Sequence, residues 1–269
     1  MKQAASVTIL GTRGSVPVST EAFLRYGGAT TCVLVRLAGQ TVVLDAGTGL
    51  MDLPPLLEEG ECRIPLLLTH PHADHLLGLP MCPLLFRPDF QMDIYAARRG
   101  GLDAEAQVRA LMSPPLWPVG PERLAASVNF HDLPSYLELD AVTVDTMEGV
   151  HPGGVSLLRL TGDGRRVVFV TDCTLTDGLL PALTEFARDC DLLLCDGQYS
   201  DAEWPARTDF GHSTWTAAAR LGRDCGAKRV RVIHHDPAHT DDFLDGALEE
   251  PRRIHTDCAF ARAGEEVLL

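Results

Sequence analysis

The chain has 269 residues, 45% of them hydrophobic, and it shows no break in composition and no long Gly/Ser linker. This length and composition predict a single domain over residues 1–269. The formal net charge of −14 disfavours a large nucleic acid as partner, because such a field repels a polyanion unless the cations cluster.

The first half of the chain is predicted to consist mostly of strands and hairpins, because short β-branched apolar runs alternate with glycine-rich turns. A hairpin is predicted about Ala38-Gly39-Gln40. The predicted strands cover 7–10, 31–37, 41–45, 64–68 and 92–96, and short helices are predicted near 50–58 and 102–111. Residues 81–135, which are rich in proline, are the least regular part.

The second half mixes strands with helices. The predicted strands cover 137–147, 154–160, 166–170, 190–195, 229–233 and 266–268, and the predicted helices cover 178–188, 213–223 and 240–250. Two mixed sheets packed face to face, with helices outside, would accommodate both halves of the chain.

The cysteine pattern and the N-terminal residues indicate the cellular compartment of the protein. The eight cysteines form no C-x-x-C pair and most lie in apolar segments, so they are expected to be reduced, buried thiols, with a structural disulfide as the alternative. No basic start precedes an apolar core, and no apolar run approaches the ~18–20 residues that span a bilayer. These features predict a cytoplasmic protein without membrane attachment.

The loop after the predicted strand 64–68 concentrates potential metal ligands. Within Thr69–His75, three histidines and an aspartate fall in six positions. Pro71 favours an extended His70, and extended residues alternate sides, so His70 and His72 can point the same way. Asp74 and His75 then begin a short turn or helix and can face a second point. The loop can thus serve two neighbouring metal ions, or it is a polar surface loop.

A site for two metal ions needs further ligands, and three candidates each follow a predicted strand. They are His151, Asp172 and His234. Each one alone is more typical of a hydrogen-bonded structural histidine or of a turn aspartate. Their recurrence in chain order after the histidine loop favours a site for two metal ions.

This ordered set resembles the metallo-β-lactamase superfamily, whose signature is matched by His70-x-His72-x-Asp74-His75. Three further segments resemble the branch that holds ribonuclease Z and related phosphodiesterases: Gly27–Cys32, Asp45–Gly49 and Gly211–Thr214. The resemblance implies an α/β fold, a four-layer αβ/βα sandwich of two mixed sheets with outer helices. It also implies two Zn²⁺ ions at the sheet edge, with Mn²⁺ or Fe as possible replacements, and allows a homodimer.

Roles for individual residues follow from the same resemblance. His70, His72 and His151 would hold the first ion, Asp74, His75 and His234 the second, and Asp172 would bridge them. His212 would be the catalytic histidine that faces the phosphate, and Asp74 is the other catalytic candidate. His212 can instead be a helix-start residue, with Ser213 or Thr214 as the cap. His235 remains the alternative to His234.

Two departures from the branch bear on function. Asp196-Gly197 stands where ribonuclease Z has a His-Glu pair that helps its catalytic histidine, so Asp196 is a candidate substitute. The chain shows no Gly- and Lys-rich insertion like the arm that grasps tRNA.

Arg13, in Gly11-Thr12-Arg13-Gly14-Ser15, is expected to be a surface residue, with a phosphate contact as the alternative.

The predicted function is a metal-dependent phosphodiesterase that acts on a small or cyclic phosphodiester or nucleotide. A hydroxide shared by the two ions would attack, and His212 would contact the phosphate or protonate the leaving group. One alternative is a thioester, lactone or β-lactam hydrolase on the same ions. The other is a metal-binding sensor module without turnover.

Overall fold

The computed structural model describes residues 4–269. Its centre is a pair of seven-stranded mixed sheets. In chain order the strands are β1 (Ser6–Gly11), β2 (Cys32–Leu37), β3 (Gln40–Leu44), β4 (Arg63–Leu68), β5 (Gln91–Ala96), β6 (Ser127–Asp132), β7 (Tyr136–Leu139), β8 (Val142–Gly149), β9 (Val155–Gly162), β10 (Arg165–Val170), β11 (Leu192–Asp196), β12 (Val230–Ile233), β13 (Cys258–Phe260) and β14 (Glu266–Leu268).

The two sheets have the same plan. The first runs β14-β1-β2-β3-β4-β5-β6 and the second runs β13-β12-β11-β10-β9-β8-β7. Pairing is antiparallel from β14 to β3 and from β7 to β10, and parallel from β3 to β6 and from β10 to β13. Parallel strands end at the same edge of a sheet, so the loops that follow them gather on one side of the molecule.

Helices cover the outer faces of the sheets. They are α1 (Ala104–Leu111), α2 (Leu180–Phe186), α3 (Trp215–Cys225), α4 (Asp241–Ala247) and α5 (Glu249–Arg252). Val108 of α1 packs into the outer core of the first sheet, and Leu183 of α2 and Trp215 of α3 pack into that of the second. A third core, which includes Ile9 and Phe169, lies between the sheets. The predicted four-layer α/β sandwich is therefore confirmed.

Three elements differ from the prediction, and proline or a turn residue accounts for the first two. The helix expected near 50–58 is a pair of 3₁₀ turns, Thr48–Asp52 and Pro54–Leu56, because two consecutive prolines prevent an α-helix. The strand expected at 137–147 is divided between β7 and β8 by a turn at Asp140, whose φ is 47°. The last helix is divided into α4 and α5.

Two strands were not predicted, β6 and β13. Each is the last strand of a parallel run, where hydrogen bonds to β5 or β12 stabilise it, and β13 has only three residues. β6 alternates polar and apolar residues, but it lies in the proline-rich stretch 81–135 for which few elements were predicted, and β13 is too short to show a periodic pattern.

All eight cysteines are free thiols, as predicted, and seven are buried. Cys62 is exposed, which corrects the expectation of burial at that position. Among residues 4–269 the longest helix, α3, has 11 residues, and none of the helices has the length and apolar character that crossing a bilayer requires.

Candidate metal centre

Seven polar side chains from loops of both sheets meet at one edge of the sandwich. They are His70, His72, Asp74, His75, His151, Asp172 and His234, all the ligands that the sequence predicts. A hydrogen bond from Ser156 N to Thr69 O (3.0 Å) joins the second sheet to the start of the histidine loop. The packing of one sheet on the other therefore brings the seven residues together.

The first set of ligands is formed by three imidazoles. His70 Nε2 lies 2.9 Å from His72 Nδ1, which lies 3.0 Å from His151 Nε2. Donors bound to a tetrahedral ion at ~2.0–2.1 Å stand about 3.3–3.4 Å apart, so this spacing is close to that of three ligands on one ion.

The second set combines two carboxylates with two imidazoles. Asp74 Oδ2 lies 3.4 Å from His75 Nε2 and 3.2 Å from His234 Nε2. His75 is fully buried, yet its Nε2 has no hydrogen-bond partner. An orphaned buried nitrogen costs stability unless a group takes up its lone pair or its proton, and a cation at this point would do so.

Asp172 lies between the two sets. Its Oδ1 is 3.2 Å from His75 Nε2, and its Oδ2 is 3.1 Å from His234 Nε2. The same Oδ2 is 3.7 Å from His70 Nε2 and 3.8 Å from His151 Nε2. This is the placement that a carboxylate shared by two ions requires.

The charges of these groups also fit cations. Burial, with neighbouring His75, lowers the pKa of His70 well below its ordinary value, so this imidazole is neutral and offers a lone pair. Burial opposes charge on His234, but Asp172 and Asp74 raise its pKa to about 10. The two carboxylates thus require a positive charge beside them, which a divalent ion would supply. The residues fit the divalent ions that the fold implies.

Asp45, directly after β3, orients two of these imidazoles. Its Oδ2 is 2.8 Å from His75 Nδ1, and both of its oxygens accept from Thr69 Oγ1 (3.0 and 2.9 Å). Thr69 Oγ1 in turn lies 3.1 Å from His70 Nδ1. These bonds occupy the Nδ1 atoms and leave Nε2 of both rings for the centre. This role of Asp45 was not predicted from the sequence, although the segment Asp45–Gly49 resembles the ribonuclease Z branch.

The turn at Gly14-Ser15 closes over the second set. Ser15 N donates to Asp74 Oδ2 at 2.7 Å. A Cβ added at Gly14 would lie 2.3 Å from the His234 ring, so only glycine permits this approach. Gly14 and Ser15 thus form a tight turn directly beside the second set of ligands.

His212 borders both sets from the loop before α3. Its ring stacks on that of His234 with centroids 4.8 Å apart, and one of its nitrogens lies within 4.8 Å of ligand atoms of His151 and Asp172. Nδ1 lies 2.8 Å from Asp196 Oδ2, so the predicted substitute for the missing His-Glu pair is in contact. Thr214 caps α3, so the helix-start alternative also describes this segment.

His235 and Arg13 face away from the centre. His235 Nε2 lies 2.9 Å from Ala261 O, and its ring packs against Tyr26 and Phe260, so His234 is the residue at the site. Arg13 is fully buried and donates to the carbonyls of Gly27, Asp236 and His239. Both expectations for Arg13, a surface residue or a phosphate contact, are thus contradicted by burial.

Comparison with known proteins agrees with this geometry. The family model described as "Beta-lactamase superfamily domain" matches residues 40–235. A ribonuclease Z of Treponema pallidum is 23% identical, over 94% of this chain and 94% of its own length.

Two solved structures share the fold over nearly the whole chain. The metallo-β-lactamase fold protein YhfI from Bacillus subtilis has a TM-score of 0.73 at 19% identity, covering 99% of both chains. A diphosphatase from the PhnP family has a TM-score of 0.69 at 20% identity, covering 98% of both. The chain belongs to the β-lactamase superfamily.

Proposed function

We propose that this metal-dependent hydrolase is a phosphodiesterase that cleaves a small or cyclic phosphodiester with two Zn²⁺ ions. His70, His72 and His151 would hold one ion, and Asp74, His75 and His234 the other, with Asp172 shared. One observation carries the proposal: His212, paired with Asp196, is stacked beside both ligand sets. Cleavage of a phosphodiester needs such a proton donor, because its leaving group is an alkoxide.

The divalent ions would activate water and the phosphoryl group. When bound, divalent ions lower the pKa of water to about 7 and polarise the phosphoryl group. Nitrogen and oxygen donors suit Zn²⁺, and Mn²⁺ or Fe are accommodated by the same donors.

His212 would hold the mobile proton. Asp196 accepts a hydrogen bond from His212 Nδ1, so Nε2 would donate to a phosphoryl oxygen or protonate the leaving alkoxide. The Asp196 carboxylate would stabilise the imidazolium that precedes proton transfer. General acid catalysis of this kind contributes roughly 10²- to 10⁴-fold.

Asp74 would orient the water that attacks phosphorus. Its Oδ2 accepts from Ser15 N and contacts His234 Nε2, which orients the carboxylate. Its Oδ1 would accept a hydrogen bond from the attacking water and direct the lone pair of that water at phosphorus.

The charge of the chain favours a small substrate. With 37 acidic against 23 basic residues, the net field repels a long polyanion more strongly than it repels a single diester.

The substitution His212→Ala tests the proposal. In protein purified without chelator, we expect about two metal ions per chain in the wild type and in the variant. Hydrolysis of 3′,5′-cyclic AMP, whose leaving group is an alkoxide, should fall roughly 10²- to 10⁴-fold, whereas bis(4-nitrophenyl) phosphate, whose 4-nitrophenolate leaves without a proton, should be affected less. His131→Ala removes a histidine that packs on Tyr95 outside the ligand sets and is the matched control. Full activity of His212→Ala would remove His212 from the mechanism.

A substrate panel separates the phosphodiesterase from other hydrolases on the same ions. Turnover of cyclic nucleotides and of bis(4-nitrophenyl) phosphate, without turnover of thioesters, lactones or β-lactams, is the expected pattern. A preference for a carbonyl substrate would overturn the proposal.

RNA cleavage is the second candidate function, and sequence similarity to ribonuclease Z favours it. A transfer RNA precursor with a 3′ extension, assayed beside a cyclic dinucleotide, distinguishes the two. Faster cleavage of the precursor at physiological salt would assign the larger substrate.

A further inference from the structure

The segment between β11 and α3 carries a cationic stack beside His212. The Arg207 guanidinium lies over the Tyr199 ring (5.7 Å to the centroid) and over the Phe210 ring (5.3 Å). The Tyr199 ring in turn lies 6.0 Å from that of His212. One aromatic ring thus separates the guanidinium from the proposed proton donor.

The base of this segment is held firmly. Glu203 accepts from Ser200 N (2.8 Å) and Ser200 Oγ (2.7 Å), and its other oxygen lies 2.8 Å from His239 Nε2. His239 is buried, and its carbonyl accepts from buried Arg13. The segment that carries Tyr199, Arg207 and Phe210 is therefore fixed to the core beside the loop that contains His234 and His239.

Arg207 is exposed and lacks a carboxylate partner within 4 Å among residues 4–269. By contrast, exposed Arg223 on α3 pairs with Asp224 at 2.8 Å. Burial raises the pKa of the Tyr199 phenol to about 12, so Tyr199 is neutral and does not neutralise the guanidinium. In a chain of net charge −14, the N–H donors of Arg207 thus remain without a carboxylate, one aromatic ring away from His212.

We infer that Arg207 is a specificity-determining residue that binds a second phosphate of the substrate, next to the diester that is cleaved. This inference rests on the proposed phosphodiesterase function and names its substrate class, phosphodiesters of nucleotide size that carry a further phosphate. The planar guanidinium matches two phosphate oxygens, and stacking on two rings holds it in place before the substrate arrives.

Two nucleotide substrates that differ by one phosphate test the inference. Thymidine 5′-(4-nitrophenyl phosphate) is compared with the same compound bearing a 3′-phosphate, with metal-loaded enzyme. We expect the wild type to prefer the 3′-phosphorylated substrate roughly 10- to 100-fold in kcat/KM, mainly through KM. Higher salt should reduce the preference, because the contact is ionic and exposed.

Substitutions assign the preference to the stack. In Arg207→Gln the ratio between the two substrates should fall towards one, and Arg207→Lys, which keeps the charge but loses the planar fork, should be intermediate. Phe210→Ala should weaken the preference and Phe210→Tyr should restore it. Arg223→Gln, which removes the same charge at the far end of α3, should keep the wild-type ratio.

The outcomes separate this inference from the function on which it rests. Equal hydrolysis of both substrates by the wild type, or an unchanged ratio in Arg207→Gln, would overturn the role of Arg207 and leave the phosphodiesterase intact. If neither substrate is hydrolysed, calorimetry measures the affinity of the wild type and of Arg207→Gln for thymidine 3′,5′-bisphosphate. At least tenfold tighter binding to the wild type than to Arg207→Gln would support the phosphate contact, and equal affinity would refute it.

Discussion

Single side chains at the strand ends decide how the imidazoles present their nitrogens. A neutral imidazole has one nitrogen that donates and one that accepts, so a partner at Nδ1 determines whether Nε2 is free. Asp45 and Thr69 provide that partner for His75 and His70. Gly211 O provides it for His151, whose Nδ1 lies 2.9 Å away. Ligand geometry at this centre therefore depends on residues that would not touch the ions.

Asp45→Asn is expected to weaken zinc binding about 10- to 100-fold, because the amide removes the charge and an acceptor behind His75 and Thr69. Competition with a chromophoric chelator measures the affinity. Asp89→Asn changes an exposed aspartate that pairs with Arg87 and serves as the control. Unchanged affinity in Asp45→Asn would mean that Asp45 does not orient the ligands.

Among the structural elements, the loops after three strands begin in the same unusual conformation. Asp45, Asp172 and His234 follow β3, β10 and β12 and have φ values of 57°, 49° and 63°. Left-handed φ at residues other than glycine is uncommon and costs on the order of 1–3 kcal/mol. These three residues lie at or directly behind the ligand sets, whereas other residues with left-handed φ, such as Ala38 and Asp140, lie in turns away from the centre.

Glycine positions in helices and turns allow a direct test of backbone conformation. Gly246 lies in α4, where an added Cβ would meet nothing within 4 Å. Gly246→Ala should raise the free energy of unfolding by about 0.5–1 kcal/mol, because alanine has less backbone entropy to lose. Gly39 also has nothing within 4 Å of an added Cβ, but its φ is +80°, so Gly39→Ala should lower the free energy of unfolding. Urea denaturation measures both, and the same sign for both variants would contradict this explanation.

At the scale of the whole molecule, the centre spans the contact between the sheets. His70, His72, Asp74 and His75 come from the first sheet, and His151, Asp172 and His234 from the second. The two sheets also share one apolar core. We therefore propose that the chain behaves as one domain, as its length and composition predict.

Metal removal tests this proposal. Scanning calorimetry should show one unfolding transition with metal and one after chelation, at a lower temperature. Free metal at about 100 times its dissociation constant would stabilise the folded state by about 3 kcal/mol. Reloading with Zn²⁺ should restore the midpoint and is the control. Two separate transitions would show that the sheets unfold independently.

Much of the metal centre could be predicted from the sequence, because the signals for its ligands are local. The histidine loop behind an apolar strand, and His151, Asp172 and His234 after later strands, follow from adjacent residues and their order. The exposure of Cys62, the burial of Arg13 and the part played by Asp45 could not be predicted. Each depends on segments far apart in the chain, such as the backbone carbonyls of Gly27 and His239 that meet Arg13.

The amino-acid sequence by itself determined most of the strands, the outer helices and the identity of the seven polar residues, because hydrophobic periodicity and spacing act over a few residues. Only the tertiary structure decided that Asp172 stands between two sets of ligands and that Arg207 stacks on Phe210 beside His212. Those distances arise when two sheets pack on a common core, and such packing joins residues that no local pattern connects.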